Sequence, residues 1–389
     1  MVMDAELTHT LTPETILPTD ADRAVLIGRV WSKAAGGPVP VLCRHGRLHD
    51  ISKIATTTSS LLEIDALVAR LRSEIGPEIG PLDGFLDGSL GELLAPIDLQ
   101  AVKAAGVTFA GSMLERVIEE QARGNPGQAA EIRSRLAPLL GDKLTGLKPG
   151  SVEAAEVKAL LVDLKLWSQY LEVGIGPDAE IFTKAQPMSA VGCGAMAGLH
   201  PMSEWNNPEP EVVLAIRSDG GIVGATLGND VNLRDIEGRS ALLLGKAKDN
   251  NAACAVGPFI RLFDGDFTLD TVRHLEISLS VTGEDGFVMK GVSRMNAISR
   301  DPADLAGQLL NTNHQYPDGA VLFLGTMFAP VKDRRGPGQG FTHEIGDRVE
   351  ISAPALGRLV NRMALCSDCP PWTFGVGALM RNLASRGLL

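Results

Sequence analysis

The second half of the chain consists of short β-rich runs separated by turns, and this pattern limits the possible folds more than any other feature. Apolar runs bounded by Gly, Asp and Pro predict strands at 212–217, 221–227, 274–282, 287–292, 320–324 and 349–352. These runs do not alternate with regular helices, as they would in a parallel sheet built of βαβ units. The pattern therefore predicts a mixed or antiparallel β body.

The chain before this β body has a more helical character. We divide the sequence into a small α+β domain at 1–95 and a larger domain at 96–389, with a helical insertion at about 110–174. Within the insertion, Ser151 is a candidate N-cap and Gly174 a candidate stop, so one helix is predicted between them. The expected fold class is α+β.

Charge and composition exclude some classes of partner. The 389 residues include 36 Lys and Arg against 47 Asp and Glu, a formal net charge of −11 at pH 7, so a broad basic surface for nucleic acid or anionic lipid is not expected. Residues 1–20 lack a basic start followed by an apolar run, and the longest relevant uncharged stretch, 185–203, is too polar to span a bilayer. Five cysteines without an export signal indicate reduced thiols. We therefore expect a cytoplasmic protein with neither nucleic-acid nor membrane partners.

Three acidic residues flank one predicted hairpin. Glu209 and Glu211 precede an apolar strand and, being two residues apart, project on the same face. The turn at 219–221 pairs residues whose numbers sum to about 440, which sets Asp230 beside them. Three oxygen ligands suit a hard cation, Mg²⁺ first, with Mn²⁺ and Ca²⁺ as alternatives. Pro210 indicates an edge strand or a bulge. The competing interpretation is an acidic hairpin edge that faces solvent.

Further motifs follow this hairpin in a recognisable order. They are E-x-E at 209–211, N-D-V-x-x-R-D at 229–235, A-K-D-N at 247–250, G-P at 257–258, G-T at 325–326 and G-D-R-V at 346–349. From about Pro96 to the C-terminus the sequence resembles the fumarylacetoacetate hydrolase family. The resemblance implies a mixed β-roll catalytic domain that binds Mg²⁺ through the three acids. It also implies that Lys248 is an active-site lysine near the metal and that Thr326 contacts the substrate carboxylate or keto-acid end.

A helical segment bears on which reaction this scaffold catalyses. Family members that cleave or decarboxylate acylpyruvates carry G-x-N-Y-x-x-H-x-x-E, and Ser112 stands here in place of the histidine that activates water. On a helix, Ser112, Glu115, Arg116 and Glu119 share one face. Such a face suits a polyhydroxylated keto acid better than an apolar acyl group. The alternative is a solvated, ion-paired helix face.

Three segments, 112–121, 205–211 and 245–251, resemble the family members that dehydrate 2-keto-3-deoxypentonates. The resemblance implies a hydro-lyase that forms 2,5-dioxopentanoate in non-phosphorylative pentose oxidation. Glu115 and Glu119 are the candidates for acid and base, in either order, together with Lys248. The candidates for substrate binding are Ser112, Arg116, Arg234 and Thr326.

Two other functions remain open at this stage. One is metal-dependent C–C hydrolysis of an acylpyruvate or decarboxylation of oxaloacetate, and the other is a keto-acid-binding protein without turnover. The second would keep Glu209, Glu211 and Asp230 but would need no acid and base. The family resemblance also implies a homodimer or a homotetramer.

Overall fold

The computed structural model of the chain describes residues 7, 10–144, 146–163, 165 and 167–389. Residues 1–6, 8 and 9 lie outside it, and with them part of the stretch from which no signal peptide is expected. The strands are β1 (Leu26–Ser32), β2 (Gly37–Arg44), β3 (Arg47–Asp50), β4 (Glu78–Pro81), β5 (Gly91–Leu94), β6 (Ala101–Gly106), β7 (Glu180–Ala185), β8 (Met196–Leu199), β9 (Asn206–Asn207), β10 (Pro210–Ile216), β11 (Ile222–Asp230), β12 (Asn232–Leu233), β13 (Cys254–Leu262), β14 (Glu276–Thr282), β15 (Val288–Arg294), β16 (Ala320–Phe323), β17 (Arg348–Ala353) and β18 (Gly357–Leu365).

Helices are concentrated between β6 and β7, which is where the helical insertion is predicted. The α-helices are α1 (Pro13–Ile16), α2 (Thr58–Leu62), α3 (Leu67–Ser73), α4 (Asp83–Leu86), α5 (Ala110–Gln121), α6 (Pro126–Leu144), α7 (Val152–Asp163), α8 (Gln169–Ile175), α9 (Arg234–Glu237), α10 (Leu244–Lys248), α11 (Leu269–Arg273), α12 (Pro302–Leu309) and α13 (Val376–Ser385). Over the described ranges, every helix is too short or too polar to cross a lipid bilayer.

Mixed sheets form the body of the protein. Among the described residues the largest sheet has eleven strands in the order β4-β3-β2-β1-β13-β11-β10-β16-β6-β7, with β5 paired to β1. A second sheet has the order β15-β14-β17-β18-β8. Most neighbours are antiparallel, whereas β16 pairs with β6 and β18 with β8 in parallel. The predicted α+β class and the six predicted strands are confirmed.

The N-terminal strands are continuous with the rest of the largest sheet. Leu26 and Ile27 of β1 pair with Arg261 and Ile260 of β13. The strands on the two sides of residue 95 therefore share hydrogen bonds in one sheet. The division into a small domain at 1–95 and a larger domain at 96–389 remains a prediction.

The prediction of one helix over 151–174 is wrong. The structure has α7 and α8 there instead, with a break between Asp163 and Gln169; Leu164 and Leu166 lie outside the described residues. Ser168 adopts an extended backbone, and its side chain accepts a hydrogen bond from Tyr170 N, so it acts as the N-cap of a new helix.

The strand after the acidic motif is central, so the edge interpretation of Pro210 is also wrong. β10 pairs with β11 on one side and with β16 on the other, and all of its residues are buried. Pro210 is the first residue of β10, and pairing with β16 begins only at Val213. A proline is tolerated at that position because no ladder hydrogen bond requires its missing N–H.

Candidate active site

Three buried carboxylates meet at the open end of the β10–β11 hairpin. Glu209 directly precedes β10, Glu211 is its second residue, and Asp230 is the last residue of β11. Each offers one oxygen within 4.8 Å of those offered by the other two, and the exposed fractions are 6%, 3% and 1%. Pro210 pairs with Asn229, which brings Asp230 alongside. The three side chains converge as the sequence predicts, and the solvent-facing alternative does not hold.

The three carboxylates repel one another, so a positive charge between them would stabilise their ionised forms. Burial raises the pKa of Glu211 well above its ordinary value, and the neighbouring charges of Asp230 and Glu209 raise it further. Glu211 Oε2 accepts a hydrogen bond of 2.6 Å from Gly325 N, which opposes this shift only in part. A cation among the three acids would remove the conflict.

Three cationic side chains contact the same acids. Lys248 Nζ donates to Glu209 Oε2 at 2.5 Å and to Asp230 Oδ2 at 3.1 Å, and Arg116 Nη2 donates to Glu209 Oε1 at 2.6 Å. Lys184 Nζ lies 2.9 Å from Asp230 Oδ1. Burial opposes the charge of Lys248, but Asp230 and Glu209 outweigh it and raise the pKa of the lysine. The sequence predicts contacts for Lys248 and Arg116, whereas it does not reveal Lys184.

Lys184 reaches the site because β7 is irregular at that point. Val102 of β6 pairs with Ala185 of β7, but Lys103 pairs with Thr183, so Lys184 is the extra residue of a β-bulge. A bulge re-aims the side chain of its extra residue. The sequence signal, a single lysine near the end of the short strand Glu180–Ala185, is weak on its own.

Acidic side chains outnumber cationic side chains around the site. In the described part of the chain the cluster contains seven carboxyl groups and five cationic groups, which leaves a deficit of two positive charges if all are ionised. The acids are Glu115, Glu119, Glu180, Glu209, Glu211, Asp230 and Glu237, and the cations are Arg116, Arg133, Lys184, Arg234 and Lys248. One divalent cation would balance the cluster, and an all-oxygen ligand set suits Mg²⁺, Mn²⁺ or Ca²⁺. The residues present therefore fit such an ion.

The α5 face predicted from the sequence enters the site as an ion-pair network. Glu115 accepts from Arg133 Nε and Nη2 at 2.7 and 2.6 Å and from Arg234 Nη2 at 3.2 Å. Glu119 accepts from Arg116 Nη1 at 2.5 Å and from Arg234 Nε at 2.7 Å. Burial opposes the ionisation of Glu119, yet the two arginines lower its pKa overall. A carboxyl group with a lowered pKa is ionised at neutral pH and carries no proton to donate. Glu119 therefore fits the role of base or of positioning group better than the role of acid.

The other predicted substrate-binding residues lie around the same space. Arg234 is 2% exposed, donates to Pro330 O at 3.0 Å and stacks on the ring of Trp205 with 4.3 Å between guanidinium carbon and ring centroid. Its donors are occupied by protein groups, so the structure favours a positioning role. Thr326 follows the end of β16, Ser112 lies in the first turn of α5, and both line the two cavities described next.

Two adjoining cavities of about 260 and 350 Å³ give access to the acids. Both are lined by Ser112, Arg116, Glu209 and Thr326. The rest of the lining is mostly charged or polar, and no histidine of the described chain contributes to it. Such a space suits a small, polar, hydroxylated anion and offers little surface to a long apolar chain.

Two carboxyl groups in the larger cavity were not predicted from the sequence. Glu180 is the first residue of β7, and Glu237 ends the short helix α9. Burial raises the pKa of Glu180, against the opposing charges of Arg116 and Lys248. Burial likewise raises the pKa of Glu237, to about 7. Both are far from 209–211 in sequence, and no local motif marked them.

Comparison with known proteins now adds to this geometry. Residues 215–364 match the family model described as fumarylacetoacetate (FAA) hydrolase C-terminal. A probable 2-keto-3-deoxyxylonate dehydratase of Haloferax volcanii (strain DS2) is 30% identical over 211 residues, which are 54% of this chain and 67% of that protein. The chain belongs to the fumarylacetoacetate hydrolase family.

Two further known proteins are similar to this chain. A 2-dehydro-3-deoxy-D-arabinonate dehydratase of Saccharolobus solfataricus (strain P2) is 33% identical over 184 residues, 46% of this chain; the match spans little more than half, 57%, of that relative. A solved 2-keto-3-deoxy-D-arabinonate dehydratase complexed with magnesium and 2,5-dioxopentanoate has a TM-score of 0.61 at 21% identity and covers 87% of this chain and 99% of its own. The structural likeness confirms the predicted family fold.

The matched family segment contains Asp230, Lys248 and Thr326, whereas Glu209 and Glu211 lie just before it. None of the relatives' names assigns a role to a residue. The ligand, catalytic and substrate-binding roles in this family member therefore remain predictions.

Proposed function

We propose that this protein is a metal-dependent hydro-lyase, with Mg²⁺ as the first choice of metal, that converts 2-keto-3-deoxy-D-pentonate to 2,5-dioxopentanoate. The observation that carries the proposal is the buried group Glu209, Glu211 and Asp230 beside a small polar cavity. The relatives named as dehydratases of such sugar acids support it. So does the structural likeness to a 2-keto-3-deoxy-D-arabinonate dehydratase complexed with magnesium and 2,5-dioxopentanoate.

Glu209, Glu211 and Asp230 line the larger cavity and would hold the ion there. A divalent cation bound there would supply a Lewis acid that draws electrons from a chelated 2-keto carboxylate and acidifies its C3 protons. Lys248, which contacts Glu209 and Asp230, adds positive charge where an enolate would form. Arg116 and Thr326 line both cavities and are placed to orient the substrate.

Elimination of water also requires a proton acceptor for C3 and a proton donor for the leaving hydroxyl at C4. Glu115 and Glu119 remain our sequence-based candidates, and the ion pairs of both argue for a base or positioning role. Glu180 lines the larger cavity, and its raised pKa makes it a stronger base than an ordinary carboxylate once it is ionised.

The absence of histidine from the described cavity lining argues against a C–C hydrolase that uses histidine to activate water. We further propose that the protein acts in the cytoplasm, in non-phosphorylative pentose oxidation, as a homodimer or homotetramer. Size-exclusion chromatography with light scattering tests the oligomeric state.

The function is tested by incubating the Mg²⁺-loaded protein with 2-keto-3-deoxy-D-pentonate or its C4 epimer. Aldehyde formation is followed through a coupled aldehyde dehydrogenase as NAD(P)⁺ reduction, and we expect it to cease with excess EDTA. Pyruvate without an aldehyde of five carbons would favour C–C cleavage. Tight, metal-dependent binding without any turnover would favour the non-catalytic keto-acid-binding protein.

A further inference from the structure

Glu237 differs from the other carboxyl groups of the site in its contacts. It lies one helical turn after Arg234, is 3% exposed and lines the larger cavity. Its Oε2 is 2.9 Å from Arg116 Nη1, but that nitrogen donates to Glu119. Among the described residues Glu237 Oε2 has no hydrogen-bond partner. A buried carboxyl oxygen that makes no hydrogen bond lowers the stability of the fold. A substrate bound in the cavity would supply the missing hydrogen bond.

Four of the neighbouring acids accept hydrogen bonds from cationic side chains. Glu115 and Glu119 each accept hydrogen bonds from two arginines. Glu209 accepts from Arg116 and Lys248, and Asp230 accepts from Lys248. Hydrogen bonds of this kind favour the charged form of a carboxyl group. Within the described cluster, Glu237 therefore combines an oxygen that makes no hydrogen bond with a place in the cavity lining.

The charged groups that face Glu237 come from several elements. Arg116 and Glu119 approach from α5, Lys248 from α10 and Glu209 from the start of β10. Burial and the two acids favour the neutral form, whereas Arg116 and Lys248 oppose it, and the pKa of Glu237 is raised to about 7. A substrate carboxylate would add one more negative charge to the cluster and so favour the neutral form further.

We propose that Glu237 is the general acid that protonates the departing C4 hydroxyl, an assignment that rests on the proposed dehydratase function. The base first takes the C3 proton to give the enolate, and the electrons of the former C3–H bond then form the C3–C4 double bond. The C4–O bond breaks with both electrons passing to oxygen, and the Glu237 proton joins that oxygen, so one water leaves. Glu237 becomes a carboxylate and regains its proton from solvent. The 5-hydroxy-2-oxopent-3-enoate formed is an isomer of 2,5-dioxopentanoate.

The test compares wild type with Glu237→Gln, which keeps the shape of the acid but has no proton to transfer. The matched control is Glu120→Gln on α5, a residue that bonds Gln169 outside the cavity. Each protein is given Mg²⁺ and either the natural substrate or its 4-deoxy-4-fluoro analogue, because fluoride leaves without needing full protonation. Melting temperature and calorimetric Mg²⁺ binding are measured in parallel.

We expect Glu237→Gln to fold and bind Mg²⁺ as wild type does, yet to lose about 10²- to 10⁴-fold in water elimination. Fluoride elimination should fall by less than about tenfold, on the same reasoning. In D₂O the variant should still exchange deuterium into C3 of the unreacted substrate, because enolisation precedes departure of the hydroxyl. Glu120→Gln should match wild type throughout.

Two results would overturn the assignment while leaving the function intact. One is water elimination by Glu237→Gln within a few-fold of wild type. The other is an equal loss with both substrates together with loss of C3 exchange, which would mean that Glu237 only positions Arg116. Failure of the wild type to eliminate water or fluoride would overturn the dehydratase function, and the assignment with it.

Discussion

The ammonium of Lys184 lies 2.9 Å from Oδ1 of Asp230, and neither side chain is more than 2% exposed. The same ammonium donates to Val231 O at 3.2 Å and to Lys248 O at 2.5 Å. One side chain from β7 thereby fixes a proposed metal ligand and the backbone that carries the proposed active-site lysine.

Lys184→Met should destabilise the metal-free protein by about 3–5 kcal/mol, because it leaves a buried carboxylate without one of its charge partners. Mg²⁺ should restore part of this loss by supplying positive charge to Asp230. Urea unfolding with and without Mg²⁺ measures both effects. Lys103→Met is the control: it removes a half-buried lysine of β6 that bonds Thr183 on the neighbouring strand β7. A loss below about 1 kcal/mol, the size expected for a surface ion pair, would contradict the proposed role.

Glu211→Gln should have opposite effects on stability and on activity. The amide resembles the neutral acid, which burial and the charges of Asp230 and Glu209 favour when no metal is bound. The melting temperature of the metal-free variant should therefore equal or exceed that of wild type. The rise in melting temperature on adding Mg²⁺ should disappear, and activity should fall by more than about 100-fold, since loss of an outer partner alone costs about 10- to 100-fold. An undiminished Mg²⁺ effect would show that Glu211 is not a ligand.

Arg116 contacts three acids at once through a planar guanidinium, a geometry that the ammonium of a lysine does not reproduce. Its guanidinium donates to Glu119 and Glu209 and lies 2.9 Å from Glu237. Arg116→Lys should lower kcat/KM by about 10- to 100-fold, because it loses at least one charge-assisted hydrogen bond worth about 1.5–3 kcal/mol. Steady-state kinetics measures this, with Arg123→Lys at an exposed position as the control. Equal values for the two variants would contradict the account.

Stability should depend on pH through a cluster outside the cavity. His343 Nδ1 lies 2.9 Å from Asp347 Oδ2, to which Arg334 also donates. Burial lowers the pKa of His343 below its ordinary 6.5, despite the opposing effect of Asp347. An unfolded chain therefore binds a proton here more readily than the folded protein, so stability is retained above pH 6.5 and falls below it by up to about 1.4 kcal/mol per pH unit.

His343→Asn removes the titrating ring but keeps a donor for Asp347. We expect the variant to be less stable at pH 7.5 and to lose less stability than wild type between pH 6.5 and 5. Urea unfolding at several pH values measures the difference. An unchanged slope in the variant would show that another group is responsible.

The sequence predicts the metal-binding acids better than the groups around them. Glu209, Glu211 and Asp230 follow from strand alternation and one hairpin turn, both of which are local. Lys184 and Glu180 reach the site through the pairing of β7 with β6 across some 80 residues and through a bulge that no local pattern reveals. The single helix predicted over 151–174 was wrong because Ser168 caps a second helix.

The partners of a correctly placed residue are equally hard to foresee. The shared face of Glu115 and Glu119 followed from helical spacing, but Arg133 and Arg234 come from other helices and change what these acids can do. The same holds for Glu237. Only its tertiary contacts leave one of its oxygens without a hydrogen bond in the described chain.

The central claim is tested most directly by NMR of the uniformly ¹³C-labelled 2-keto-3-deoxy-D-pentonate incubated with Mg²⁺-loaded wild type. The account predicts that all five carbons appear in one product, 2,5-dioxopentanoate, with an aldehyde carbon at C5 or its hydrate, and that neither EDTA-treated wild type nor Glu211→Gln forms it. Labelled pyruvate and a two-carbon aldehyde, or a substrate spectrum that never changes, would contradict the account.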